Sequence, residues 1–247
     1  RILKAEDLIT APAHIVMKAA NEFKDKTTRP NELWQTDFTY LKVLGWGWFY
    51  LSTILDDYSR YIIAWKLCTT MKAEAVTATL DLALEASGCD RATVVAKPRL
   101  LSDNGSSYIA GELADYIEDK GMQHVRGAPY HPQTQGKIER WHQTMKNRVL
   151  LEHYCLPGDL ERQISDFVDY YNNRRYNESL GNVTPADVYF GRDQQILKQR
   201  EEIKRKTMLK RRLRYQTENA QPQARMSQSL QTKQRSTVPN YLTTDNG

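Results

Sequence analysis

The chain has 247 residues, with 35 Lys plus Arg against 30 Asp plus Glu, a formal net charge of +5 and a pI near 9.0. Its length allows one large domain or two small ones, and an apolar fraction of 40% with five Trp and fourteen Tyr excludes a wholly disordered chain. No run approaches the ~20 apolar residues of a membrane span, and three scattered Cys exclude a disulfide scaffold or a paired-cysteine zinc site.

The chain opens on Arg1, has its first Met at position 17 and shows no signal peptide, so it reads as a piece of a longer, intracellular protein. Residues 1–20 have the spacing of a short helix, and 21–32 read as a polar linker. Three strand-like runs follow, Leu33 to Val43, Trp46 to Leu55 and Arg60 to Leu67, rich in aromatic and β-branched residues and set apart by short breaks, which predicts an antiparallel meander. Lys72 to Ser87 has helical spacing and ends near Gly88. A short strand, Pro98 to Ser102, runs into Asp103-Asn104-Gly105, and a helix over Ala110 to Lys120 precedes another short strand, Met122 to Arg126. The Gly- and Pro-bearing stretch 127–136 is a loop. Helices are then expected over Lys137 to Glu152, over Leu160 to Arg175, from Thr184-Pro185, and over Asp193 to Arg214. The last 32 residues hold 17 Gln, Asn, Ser or Thr, which predicts disorder. Strands followed by alternating strands and helices imply an α/β fold with a mixed sheet flanked by helices.

Charge is unevenly spread. Residues 1–191 hold 22 basic and 25 acidic side chains, a net of −3, and residues 192–247 hold 13 and 5, a net of +8. That pattern is a compact domain (33–191) after an N-terminal helix and linker (1–32), followed by a basic helical arm and polar tail (192–247). Basic arms neutralise phosphates or are simply solvated faces.

Three carboxylates stand at the ends of elements. Asp37 lies inside a strand between large apolar groups, where Asp is disfavoured. Asp103 ends a strand before a Gly turn, and Glu139 lies in a first helical turn after a loop. Singly, the last two are equally a turn-former and a dipole partner. Asp56 and Asp57 before Tyr58-Ser59-Arg60 read as a turn, and His142, His153 and Cys155 form no zinc set.

The segments LWQTDFTY (33–40), LDDYSRYIIAW (55–65), LSDNGSSY (101–108), YHPQTQGKIERWHQTMK (130–146), YNNRRYNESL (171–180) and TPADVYFGR (184–192) resemble the catalytic core of insertion-sequence transposases related to retroviral integrases, the DDE polynucleotidyl transferases. Asn177 stands where that family usually has His. The resemblance implies an RNase H-like five-stranded mixed sheet, with Asp37, Asp103 and Glu139 as catalytic residues holding two Mg²⁺ ions, Mn²⁺ able to substitute. Carboxylates suit a hard cation that activates an attacking oxygen and stabilises a leaving one. It also implies hydrolysis at element ends, strand transfer by the freed 3′-OH, DNA as partner, a homo-oligomer on DNA, a separate or upstream helix-turn-helix module, no membrane, and a cytoplasmic, nucleoid-associated setting. Lys137, Arg140, Gln143, Lys146 and the loop residue His131 are candidate DNA contacts around the site. Lys204, Arg205, Lys206, Lys210, Arg211, Arg212 and Arg214 are candidate phosphate contacts on the arm. A non-catalytic DNA-binding or assembly derivative and an RNase H-like nuclease are the alternatives.

Overall fold

A computed structural model describes residues 26–91, 96–126 and 135–235, with side chains as far as Glu218. The helix expected over 1–20 and the loop residue His131 lie outside the described residues. The elements are β1 (Leu33–Val43), β2 (Gly47–Asp56), β3 (Ile62–Cys68), α1 (Ala73–Ser87), β4 (Arg99–Ser102), α2 (Ser106–Ile109), α3 (Gly111–Asp119), β5 (Gln123–Arg126), α4 (Gly136–Val149), α5 (Pro157–Asn173), α6 (Pro185–Tyr189) and α7 (Asp193–Arg235).

The five strands form one sheet in the order β3-β2-β1-β4-β5. The first three make the expected antiparallel meander, and β4 and β5 add in parallel to β1. The β1–β2 turn is made possible by Gly45 and Gly47, both at positive φ. At the β2–β3 turn the buried Asp56 carboxylate accepts from Ser59 N, Ser59 Oγ and Asn31 N, which stabilises the reversal read from Asp56-Asp57.

Alternation along the strands divides the core between the two faces of the sheet. Leu41, Val43, Leu51, Leu55 and Ile62 pack under α4 (Ile138, Trp141, Met145, Val149) and α5 (Leu160, Ile164, Phe167, Tyr171). Trp34, Ile54 and Ala64 pack under α1 (Val76, Leu80, Leu84) and α3 (Leu113, Ile117). Asp37 lies an even number of residues from Leu41 and Val43, so its side chain is on the α4 face. At the outer strand β3, the Asn172 side chain accepts from Ile62 N and donates to Ile62 O, imitating a neighbouring strand at that edge.

The helix read over 110–120 is found as α3, and one further turn of helix, α2, precedes it, with Ala110 extended (ψ 135°) between them; the break lets Tyr108 and Leu113 enter the same core. The charged helix read over Asp193 to Arg214 is found as α7, which is described as far as Arg235; the rest of the polar tail lies outside the described residues.

The chain divides into two compact units, 1–192 and 193–247. In the second, every described side chain from Lys198 to Glu218 is exposed.

Candidate active site

β1 and β4 pair in parallel with Leu33 opposite Arg99, Trp34 opposite Leu100 and Gln35 opposite Leu101. Carried two residues further, that register sets Asp37 opposite Asp103, where the β4 pairing has just ended. The position follows the carboxyl end of a parallel strand, the usual location of sites in open α/β sheets. Tyr108 registers both carboxylates: it is buried, and first burial, then the charges of Asp37 and Asp103, push its hydroxyl pKa well up. The phenol therefore stays neutral, in the core under α1 and α3.

Asp103 is held by its own turn. Gly105 N donates to Asp103 Oδ1 at 2.8 Å. A Cβ on Gly105 would lie 3.0 Å from that same oxygen, so the turn closes this tightly only on glycine. Asp37 Oδ1 accepts from Phe38 N at 2.8 Å, and its Oδ2 lies 3.4 Å from His142 Nδ1.

The start of α4 is pinned to the sheet beside Asp37. Ile138 N, one of the unpaired donors of the first turn, donates to Gln35 Oε1 at 3.1 Å, and Gln135 Nε2 donates to Thr36 O at 3.5 Å. Lys137 Nζ donates to Asp57 Oδ2 at 2.6 Å, while Gln35 Nε2 donates to Asp57 Oδ1 at 2.7 Å. With successive residues about 100° apart around a helix, Glu139, His142, Gln143 and Lys146 share one flank. His142 reaches Asp37 from it. Lys146 feels burial, which lowers its pKa, and the Asp37 charge, which raises it; its Nζ lies 4.3 Å from the Tyr40 ring centroid. Glu139 is exposed.

All three expected ligands are oxygen donors, the chemistry a hard divalent cation prefers. Among the described residues, however, no group of three or more His, Cys, Asp or Glu side chains is close enough to hold an ion. The aspartates are placed together by register and Glu139 faces their side, but the three do not close into one ligand set.

The expected DNA contacts separate. Gln143 and Lys146 lie on the Asp37 flank, and Gln143 donates to Asn147 Oδ1 at 2.7 Å. Lys137 is taken up by Asp57, and Arg140 lies on a different flank of α4. The seven arm residues are all exposed on α7, Arg214 pairing with Glu218 at 2.7 Å. Asn177, at the family's usual His position, caps the short 3-10 turn Glu178–Leu180 by accepting from Ser179 N and Oγ. His142, Gln35 and Asp57 are the residues that sequence reasoning passed over. A signal existed for two of them: His142 is one turn from Glu139, and Gln35 shares the Asp37 pleat face.

Comparison with known proteins agrees with this fold. A family model described as "Integrase core domain" matches residues 27–132, and a second with the same description matches 120–185. The transposase for insertion sequence element IS629 of Shigella sonnei is 29% identical over 161 residues, covering 65% of this chain and 52% of that protein. The transposase for IS904 of Lactococcus lactis is 26% identical over 166 residues, covering 66% and 62%. The chain thus spans about half to three fifths of the length of these relatives. Among solved structures, the HTLV-2 integrase catalytic core domain in complex with magnesium (trimeric form) matches with a TM-score of 0.52 at 18% identity, over 66% of this chain and 99% of that one. At that identity the likeness is one of fold.

Proposed function

The chain belongs to the integrase core domain family, and from that premise we propose that it is the catalytic region of an insertion-sequence DNA transposase, with Asp37, Asp103 and Glu139 as its metal-binding and catalytic carboxylates. The observation that supports this reading is the β1–β4 register, which pairs Gln35 with Leu101 and, carried two residues further, brings Asp37 level with Asp103, while Asp37 lies on the face covered by α4. The relatives matched here are transposases, and the related core of HTLV-2 integrase was solved with magnesium.

Bound Mg²⁺, or Mn²⁺ in its place, would supply Lewis-acid activation of a water or 3′-OH and stabilisation of the leaving oxygen. The chain's own residues do the rest. Asp103, fixed by the Gly105 amide, and Asp37, steadied by the Phe38 amide and His142, present carboxylate oxygens from a rigid sheet. Lys146 and Gln143 offer a cation and an amide to the scissile strand from the Asp37 flank of α4. Water attack at an element end frees a 3′-OH, and attack of that hydroxyl on a second strand joins the DNAs. In the first step the water oxygen bonds to phosphorus as the 3′ oxygen leaves, giving a 3′-OH and a 5′-phosphate; in the second, one phosphodiester breaks as another forms, so no Ser or Tyr nucleophile is required. Oligomeric assembly on DNA, end recognition by a helix-turn-helix module outside this chain and phosphate contacts along α7 belong to the same reading. No helix among the described residues is long and apolar enough to cross a membrane.

The test is an oligonucleotide assay with the element's terminal sequences and Mg²⁺. The wild-type protein nicks and joins them, and Glu139→Gln abolishes both while leaving the fold intact, since Glu139 is exposed. Activity that survives this substitution removes Glu139 from the site.

A further inference from the structure

A second concavity, about 630 Å³ in volume, lies on the flank of α4 turned away from Asp37. Counting 100° per residue, Arg140 and Lys137 lie roughly 100° and 160° around the helix from Glu139. Both line the cleft, with Arg60 from the β2–β3 turn and Arg175 from beyond the end of α5; Trp141 and Tyr171 form its aromatic wall.

The cations are held there at some expense. Arg60 takes a left-handed conformation (φ 66°), and its guanidinium donates to the carbonyls of Asp57 and Tyr58. Burial lowers the pKa of Arg60, as it does that of Lys137, and Asp57 offsets part of this at both; Arg140 adds a small repulsion at Arg60, and Arg60 adds one at Lys137. Neither Arg140 nor Arg175 meets a carboxylate among the described residues, and the one acidic residue in the lining, Glu178, is exposed. Independently, Trp141 is 1% exposed and its indole N–H has no hydrogen-bond partner among the described residues. A buried donor without an acceptor is rare enough to need a reason. Guanidinium groups can only donate, so Arg140 and Arg175 are left without a negatively charged acceptor in the cleft among the described residues.

We propose that this cleft binds a phosphodiester of the DNA backbone, a second anchoring point on the opposite flank of α4 from the reacting carboxylates. The inference rests on the protein acting on DNA, and it assigns the cleft a positioning role without sequence readout.

Five Trp residues give five indole N–H signals in a ¹⁵N-correlated spectrum, and Trp141→Phe identifies that of Trp141 by its loss. The expected result is that this signal moves on titration with inorganic phosphate, and again with a metal-free DNA duplex in EDTA. A signal unmoved by both overturns the proposal. Movement with phosphate in a protein that never nicks or joins DNA upholds the anion site and removes the transposase reading, so the two failures are separable. Should Trp141→Phe fail to fold, the double variant Arg140→Gln, Arg175→Gln decides, because both side chains reach the surface. Its slope of log K against log[salt] for duplex binding should flatten by about 0.9 for each phosphate no longer neutralised, and an unchanged slope overturns the proposal.

Discussion

At the scale of single residues, the site depends on close approach. Gly105 has an ordinary φ of −61°, so alanine is allowed by the backbone, yet its methyl would press on Asp103 Oδ1. Gly105→Ala should therefore leave stability within about 1 kcal/mol of wild type but lower activity roughly tenfold or more, with the Mg²⁺ dependence shifted to higher concentration. Urea unfolding and metal titration of nicking separate these effects; unchanged metal dependence would show that the carboxylate tolerates the push. The three carboxylates could be found in the sequence because each stood out against its local setting or inside a motif. The tie of Asp57 to Lys137, 80 residues away, could not, and Gln35 showed only its shared face with Asp37 and not its bond to Ile138, 103 residues away. Nothing local marks a glutamine in a strand as the acceptor for a distant helix.

At the scale of elements, α4 carries three kinds of contact on three flanks: core, carboxylate site and cationic cleft. Its periodicity was legible, and so were its apolar residues, but the division of its polar residues into two groups was not. Lys137 and Arg140 flank Glu139 in sequence, and helical rotation takes them away from it. The opposite case is α6, whose Thr184-Pro185 start is borne out in full. Thr184 Oγ1 accepts from Asp187 N, and Asp187 Oδ2 accepts from Thr184 N and Oγ1. Burial alone would push the Asp187 pKa up, but the Thr184 hydrogen bonds and the Arg192 pair outweigh it and hold the pKa below the ordinary 3.8. A depressed folded pKa stabilises above the unfolded value and loses that contribution as pH falls through the folded one. Asp187→Asn should then cost about 1 kcal/mol near neutrality, and its gap from wild type should narrow as pH drops below 3.8. Thermal unfolding of both proteins across that range is the measurement, and a constant gap would locate the loss elsewhere.

At the scale of the whole molecule, the net charge of +5 divides into −3 for residues 1–191 and +8 for 192–247. On the proposed function, the unit with the three carboxylates needs local cations to meet DNA, and the surplus lies in residues 192–247. Removing residues 193–247 should weaken duplex binding and flatten its salt dependence by about 0.9 for each phosphate the arm had neutralised; an unaltered slope in a binding titration would deny the arm that role. The meander and the mixed five-stranded sheet followed from pattern and resemblance. The extent of α7 did not, because a helix whose side chains from Lys198 to Glu218 are all exposed leaves no periodic trace there. The pinning of α4 also has a consequence in time. Its bonds to β1 span 99 and 103 residues, and contacts that distant in sequence form late, after the loop between them has been closed. A chain emerging from synthesis can pair β1 with β2, and later with β4, long before Glu139 has been made. On the proposed function, competence for DNA chemistry is thus acquired at the end of folding, and a truncated or half-folded chain holds both aspartates without Glu139 in place.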